Sequence, residues 1–277
     1  MMLQTSTPRR LVRVSDFLLL DGAPLPMVDP MVLRATSYGH FTSMQVRDGQ
    51  VDGLDLHFER LDRSTREVFG RPLPEDRVRA DLRAALDHAG TGDLSIRVNV
   101  FADDELHLLT RVGPPVAPGT RPLRLLAYQH ERAVPHLKHT GTFDLTYYAH
   151  AAEQAGYDDA VFHTAAGELS EASIWNLCFA RGPHLVFPKA PSLPGIRQQV
   201  LQRGLDDYAI TPVPLAGLKT YDAAYLTNSI DPALPVASIT TKDGTTTYEP
   251  HPASAAVLAK AYAAVPAQPI RSAETTS

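Results

Sequence analysis

The chain has few cysteines, few lysines and no long apolar segment. One cysteine, Cys178, stands among 277 residues, which excludes an internal disulfide framework and favours the reducing cytoplasm. It lies in the apolar run Leu177-Cys178-Phe179, so we expect a small buried side chain rather than a reactive thiol. No run of about eighteen apolar residues is present, and the pattern predicts no transmembrane helix.

Net positive charge is also missing. The formal net charge is -5 and the pI is about 6.1, so the chain carries no electrostatic sign of nucleic-acid binding. Eleven histidines occur, but neither His57 with Glu59 nor His136 with His139 forms the i, i+4 histidine pair of a zinc protease, and we predict no metal site. The hydrophobic fraction of 44% and charged fraction of 21% are typical of a globular protein.

Hydrophobic periodicity changes repeatedly between two and 3.6 residues, which predicts an α+β fold. Helices are predicted at 54–70, 76–88, 144–155, after 195, and at 252–264. Strands are predicted at 11–20, 41–46, 94–101, 106–112, 123–128, 160–163, 168–179, 185–187, 223–226 and 236–240.

A proline-rich passage from 114 to 122 marks the expected boundary between two domains, because proline interrupts both helices and strands. We predict a small N-terminal domain over 11–125 and a larger, cofactor-binding C-terminal domain over 126–265. The segments 1–10 and 266–277 have the composition of flexible tails.

Lys138 follows this passage, at the place where a cleft between two domains would lie. A lysine becomes a nucleophile that forms Schiff bases when burial or a neighbouring cation lowers its pKa. Glu171 lies downstream on a predicted strand, where a carboxylate could contact the ring nitrogen of a cofactor. Taken alone, each residue is more often an exposed surface charge, and only the combination favours chemistry.

Three further segments could bind an anion. Arg60 lies beside the apolar face of the first helix and could hold phosphate oxygens, or it could form a surface i, i+4 contact with Ser64. Pro194-Gly195-Ile196-Arg197 opens a helix whose first amides are unpaired, although the same motif also serves plain helix initiation. The polar edge at 227–229, Thr-Asn-Ser, could add donors or be an ordinary turn.

Several of these segments together resemble a known family. Lys138-His139-Thr140, Gly167-Glu168-Leu169-Ser170-Glu171-Ala172, Asn176-Leu177 and Leu193-Pro194-Gly195-Ile196 occur in order, preceded by Gly39-His40-Phe41-Thr42 and His57-Phe58-Glu59-Arg60-Leu61. This arrangement, over about residues 30 to 240, is similar to class IV (fold type IV) pyridoxal-phosphate enzymes. The family includes branched-chain and D-amino-acid aminotransferases and aminodeoxychorismate lyase.

The resemblance implies a two-domain α+β fold with pyridoxal 5'-phosphate between the domains, usually in a homodimer whose partner closes the site. It implies small amino-acid and keto-acid substrates. The implied roles are Lys138 for the Schiff base and proton transfer, Glu171 with Asn176 at the pyridine nitrogen, Arg60, Ile196, Arg197, Thr227, Asn228 and Ser229 at the phosphate, and Phe41, Thr42 and Thr142 at the substrate.

The sequence departs from the family pattern at three places. Aminotransferases commonly have a tyrosine about five residues after the lysine, where this chain has Thr142-Phe143; Tyr147 or Tyr148 could replace it. Gly-Ile-Thr is here Gly195-Ile196-Arg197, and the glutamate after the upstream aromatic residue is replaced in Phe41-Thr42. We favour an aminotransferase, with a pyruvate-eliminating lyase as the alternative and a non-catalytic relative as a third reading.

Overall fold

A computed structural model describes residues 19–20, 23–24, 37–90 and 92–271. Of the predicted strand at 11–20, only β1 (Leu19–Leu20), paired with β2 (Ala23–Pro24), falls within this part. The rest of that prediction and the N-terminal segment 1–10 lie outside the described residues.

The N-terminal unit is an antiparallel sheet covered by two helices. Its strands follow the order β16-β4-β3-β5-β6. The elements are β3 (His40–Arg47), β4 (Gln50–Val51), α1 (Leu54–Phe69), α2 (Glu75–Ala89), β5 (Leu94–Ala102), β6 (Leu106–Gly113) and β16 (Gln268–Pro269). The predicted first helix is confirmed: Leu54, Phe58 and Leu61 are buried, and Gly70 ends the helix with a φ of 67°.

The two faces of β3 have different environments because side chains alternate along a strand. Met44 and Val46 point to the helices and belong to the buried N-terminal core. Phe41, Ser43 and Gln45 point the other way and line a cavity towards the C-terminal unit.

The C-terminal unit is built on a larger sheet, ordered β12-β11-β10-β13-β14-β7-β8-β9, with β15 paired to β14. Pairing of Glu171 with Asn176 joins β9 to β10, so six of these strands form a closed ring. Its strands are β7 (Leu123–Gln129), β8 (Asp159–His163), β9 (Leu169–Ala172), β10 (Asn176–Arg181), β11 (His184–Pro188), β12 (Ala209–Thr211), β13 (Ala223–Thr227), β14 (Leu234–Thr241) and β15 (Gly244–Thr247). Its helices are α3 (Phe143–Gln154), α4 (Ile196–Gly204), a 3₁₀ turn (Leu215–Thr220) and α5 (Pro252–Ala263).

The α+β class is confirmed, with two local corrections. The strand predicted at 168–179 is two antiparallel strands, β9 and β10, separated by Ser173, Ile174 and Trp175. The domain boundary predicted after residue 125 falls inside β7. This strand pairs with β8 and β14 over Leu125 and Leu126, so all of it belongs to the C-terminal sheet.

The predicted C-terminal tail is wrong for residues 266–271. Gln268 and Pro269 pair with β4 in the N-terminal sheet, and the Ile270 side chain is fully buried in the N-terminal core. The Ile270 amide donates to the Gly49 carbonyl at 3.0 Å. Burial of one large apolar side chain stabilises this segment, although the residues around it have the composition of a flexible tail. The chain therefore returns to the first domain after α5.

Candidate active site

A cavity of about 510 Å³ lies where the two units meet. The N-terminal unit contributes the outer face of β3 and the neighbouring positions of β5 and β6. The C-terminal unit contributes the loop at Lys138, the ends of β9 and β10 and the loop after β13. The predicted site residues that line it are Phe41, Lys138, Thr142, Glu171, Asn176, Asn228 and Ser229.

Lys138 is held in the cavity by backbone contacts between the units. Its carbonyl accepts from the Phe41 amide at 2.9 Å, and its ammonium nitrogen lies 4.8 Å from the centre of the Phe41 ring. Burial of the amine lowers the pKa of Lys138 to about 7, and the cations of Arg60 and Arg132 add to this effect, while Glu171 opposes it. A large fraction of this lysine is therefore a free amine at neutral pH.

Glu171 is buried in β9, on the same C-terminal unit that carries Lys138. Its Oε2 accepts from the Leu193 amide at 3.2 Å, and its Oε1 lies 3.7 Å from Nη1 of Arg132. Burial raises the pKa of Glu171, although Arg132 and the Leu193 amide act in the opposite direction. Asn176 donates to the Leu193 carbonyl at 2.7 Å, so both side chains of the β9–β10 pair hold the loop that leads into α4.

Arg60 and Thr42 lie behind β3, on its helix-facing side. Arg60 donates to the Thr42 hydroxyl, which also lies 2.6 Å from Nδ1 of His57. Arg60 is only 4% exposed, so the surface pair with Ser64 is excluded. Thr42 does not line the cavity, which corrects its predicted contact with substrate: in the alternation of β3, Thr42 faces away from Phe41. Burial, reinforced by Arg60, keeps the pKa of His57 well below its usual value.

The N-terminus of α4 and the edge at 227–229 lie together beside the cavity. His57, Ile196 and Ser229 are among the residues around a narrow gap of about 10 Å³ between the units. The Thr227 hydroxyl is buried without a hydrogen-bond partner among the described residues. Ser229 donates to the Ser43 carbonyl at 2.7 Å, so this polar edge contacts both units.

Sequence reasoning missed three arginines that line the cavity. Arg132 is buried, donates to the Leu137 carbonyl at 3.1 Å and faces Glu171. Arg97 and Arg111 are directly paired on β5 and β6. The sequence could have indicated Arg97, because Ser95, Arg97 and Asn99 are the polar, alternating positions of an otherwise apolar strand and therefore share one face of it.

The site geometry agrees with the comparison to known families. The family model "Amino-transferase class IV" matches residues 39–239 of the chain. The chain belongs to the class IV aminotransferase family. The resemblance seen in the sequence motifs is thereby confirmed, and the matched region contains both walls of the cavity.

Solved structures show that this class IV aminotransferase family member has fold type IV. A branched-chain aminotransferase from Thermoproteus uzoniensis has a TM-score of 0.74 at 19% identity, with 92% of this chain and 99% of that chain covered. A hypothetical aminotransferase from Mycobacterium tuberculosis, in an α-ketoglutarate and PMP bound form, has 0.73 at 19%, covering 89% and 95%. A proposed 4-amino-4-deoxychorismate lyase from Legionella pneumophila has 0.71 at 20%, covering 83% and 91%. A search of curated proteins finds no match.

The segment after Lys138 differs from the family pattern, which commonly has a tyrosine about five residues after the lysine. Phe143 is 82% exposed and Tyr147 58% exposed, whereas Tyr148 packs against Tyr128 with ring centres 5.0 Å apart. Within the part of the chain that the structure describes, no tyrosine lines the cavity, and Thr142 is the residue of this segment that does. The replacement by Tyr147 or Tyr148 is therefore wrong, because Tyr147 is exposed and Tyr148 packs against Tyr128.

Cys178 is buried, as predicted, and burial raises the pKa of its thiol. Over the described ranges, no three His, Cys, Asp or Glu side chains are grouped to hold a metal ion. No described helix has the length and apolar character needed to cross a membrane.

Proposed function

We propose that the protein is a pyridoxal-phosphate-dependent aminotransferase that moves an amino group between an amino acid or amine and a keto acid, with Lys138 as the covalent attachment point. One observation carries the proposal. An amine with a pKa of about 7 and a buried carboxylate, Glu171, line the same cavity between two domains. The PLP-bound form of the Mycobacterium tuberculosis neighbour supports the choice of cofactor.

The residues around the cavity fit this cofactor. The Thr227 hydroxyl and Nε of Arg60 are buried and have no partner among the described residues, as expected for groups that complete their hydrogen bonding with a ligand. The free amides at the N-terminus of α4 suit a phosphate. We assign Lys138 to the aldehyde, Glu171 with Asn176 to the ring nitrogen, and Arg60, Ile196, Arg197, Thr227, Asn228 and Ser229 to the phosphate end, with Ile196 and Arg197 acting through their backbone amides.

When bound, pyridoxal phosphate supplies an aldehyde for an incoming amine and an electron-withdrawing ring. Lys138 then provides the base: with a pKa of about 7, its amine can take a proton from the substrate carbon and return one within the same cavity. Glu171 would hold a proton at the ring nitrogen. Burial raises the pKa of its carboxyl, and the Leu193 amide, which donates to Oε2, fixes the orientation of that carboxyl.

The charges on the N-terminal wall favour a substrate with a carboxylate. Arg97 and Arg111 line the cavity side by side, and Glu171 is the single acidic residue among the lining residues that the structure describes. Arg97 also lies 3.5 Å above the centre of the Phe41 ring, which keeps its guanidinium over the cavity. Phe41 and Thr142 line the same space and remain our candidates for substrate contact.

The absorbance spectrum of the purified protein with added pyridoxal phosphate tests the proposal. We expect a yellow protein whose band changes when an amino donor is added, and transfer to pyruvate or 2-oxoglutarate. Lys138→Ala should stay folded and lose the covalent band, whereas Lys189→Ala, at an exposed lysine, should keep it. A folded wild-type protein that stays colourless would instead favour a non-catalytic, ligand-binding relative.

A pyruvate-eliminating lyase is the second candidate. The polar residues Thr142, Asn228 and Ser229 all line the cavity, and the Legionella pneumophila structure has the same fold. Pyruvate release from aminodeoxychorismate, without an added keto acid, would identify the lyase. Amino transfer to a keto acid with no such release would identify the aminotransferase.

We also propose that the protein is a homodimer. The rings of Phe143 and Tyr147 are exposed and stacked, with centres 6.1 Å apart, and Ile174 is an exposed apolar residue on the cavity rim. Large exposed apolar groups beside a site are typical of a surface covered by another chain. Light scattering after size-exclusion chromatography should give twice the chain mass of 30.2 kDa, and a monomer would contradict the proposal.

A further inference from the structure

The side chain of Arg197 does not point into the cavity. Arg197 is the second residue of α4 and is buried, and its guanidinium turns back towards the N-terminal unit. The cation that this position adds to the family pattern is therefore engaged elsewhere and is not a direct ligand for an anion in the cavity.

Arg197 contacts three separate segments. Its Nη1 donates to Asp52 at 2.8 Å, its Nε to the Asn228 carbonyl at 3.3 Å and its Nη2 to the Ser229 carbonyl at 3.0 Å. Its guanidinium carbon lies 4.6 Å from the centre of the Tyr262 ring, and the Tyr262 hydroxyl donates to the same Asp52 oxygen. Asp52 belongs to the N-terminal unit and Tyr262 to α5.

The two carbonyls that Arg197 holds belong to the polar edge of the cavity. Asn228 and Ser229 both line it. The edge is otherwise a small turn, in which the Asn228 side chain accepts from the amides of Ile230 and Asp231 at 2.8 Å. Only a planar side chain with several donors can reach a carboxylate and two carbonyls together.

A second arginine on α4 provides a natural comparison. Arg203 also crosses to the N-terminal unit, where it pairs with Asp55 at 2.7 Å. This pair is exposed, with side chains 41% and 37% accessible, against 7% and 23% for Arg197 and Asp52. Arg203 joins the same two units through this ion pair, and it is not among the described residues that line the cavity.

We propose that Arg197, held by Asp52 and Tyr262, is a positioning residue that sets the Asn228–Ser229 edge against the N-terminus of α4. This end of the cavity is where the proposed function, on which the inference rests, places the cofactor phosphate. Arg197 thus fixes the position of the groups that bind the phosphate, while its own positive charge pairs with Asp52.

The test compares Arg197→Met, Arg197→Lys and the control Arg203→Met. The dissociation constant for pyridoxal phosphate is measured by titrating the apo-protein, and hydrogen exchange of the amides at 228–231 is followed by mass spectrometry in the same apo-protein. We expect Arg197→Met to weaken cofactor binding at least tenfold and to speed exchange at 228–231 at least tenfold. Arg203→Met should change both by less than twofold.

Arg197→Lys separates positioning from simple stability. A lysine can keep the pair with Asp52 but has one nitrogen, so it cannot also hold both carbonyls. We expect a melting temperature close to that of the wild type together with weaker cofactor binding and faster exchange. This variant also keeps the test decisive if Arg197→Met does not fold.

The outcomes distinguish this inference from the proposed function. If wild-type protein does not bind pyridoxal phosphate, the proposed function fails, and the exchange rates at 228–231 alone decide the role of Arg197. If both Arg197 variants leave cofactor affinity and exchange within twofold of wild type, Arg197 does not position the edge. Equal effects of Arg197→Met and Arg203→Met would likewise overturn the inference. Any ion pair between the two units would then have the same effect on cofactor binding and on exchange at 228–231.

Discussion

The proposed attachment of pyridoxal phosphate to Lys138 should depend on pH in a way that the environment of this lysine sets. Only the neutral amine attacks an aldehyde, and the pKa of Lys138 is lowered to about 7 by burial and by the cations of Arg60 and Arg132. With that pKa, the neutral fraction rises from about one tenth at pH 6 to about nine tenths at pH 8. The attachment rate should therefore rise about tenfold over this interval and become flat above it. For an ordinary lysine, with a pKa of about 10.4, the rate would rise about 100-fold and continue to climb.

The rate is measured by stopped-flow absorbance after apo-protein is mixed with pyridoxal phosphate at each pH. A lysine model compound, measured in parallel, corrects for the ionisation of the cofactor itself, and borohydride trapping with peptide mapping identifies the modified residue. Arg132→Met removes a cation and should move the midpoint to higher pH. A corrected rate that still climbs between pH 8 and 10, or a midpoint that moves down in Arg132→Met, would refute the reasoning.

Three further predictions test the rest of the site and fold. Glu171→Gln should keep covalent attachment but lower turnover by about 100-fold or more, because an amide cannot share a proton with the ring; unchanged steady-state rates would contradict this role. Gly195→Ala should lower the melting temperature and weaken cofactor binding, because the new Cβ would collide with the Asn176 side-chain oxygen; overpacking of this kind costs about 1–3 kcal/mol. Gly113→Ala, which meets nothing within 4 Å, is its stability control. Ile270→Ala should reduce the free energy of unfolding in urea by about 2–4 kcal/mol, whereas the exposed Ile210→Ala should change it by less than about 0.5 kcal/mol; equal effects would mean that residues 268–270 do not pack on the N-terminal sheet.

The return of the chain to its first domain bears on how the cavity is held together. The passage at 114–122 is one covalent connection between the units, and the segment from Val265 to Ile270 is a second, since α5 packs on the C-terminal core and Ile270 in the N-terminal core. Gln268 also accepts from the Asp55 amide at 2.9 Å, at the start of α1. Two connections restrict the relative motion of the cavity walls more than one does.

Local patterns predicted the helices and strands that present the site. The steps of three and four residues from Leu54 specify α1, and the alternation around Phe41 specifies β3, because each pattern records which side chains of one element are buried. Lys138 and Glu171 could be chosen because they lie in ordered motifs that resemble those of a known family. The direction of a single side chain was harder to predict. Neighbouring Phe41 and Thr42 lie on opposite faces of β3, and only the elements that pack on each face show which of the two residues lines the cavity.

The sequence by itself determined the α+β class, which follows from local periodicity, and the order of the family motifs, which follows from residue type. The choice of Lys138 and Glu171 as partners rested on the family resemblance that those motifs carry. The tertiary structure alone decided that Arg97, Arg111 and Arg132 line the cavity, that Arg197 turns to Asp52, and that Ile270 returns to the first domain. The physical reason is that a buried charge or an isolated apolar residue is stabilised by partners from distant parts of the chain, and those partners are brought together only by strand pairing and domain packing.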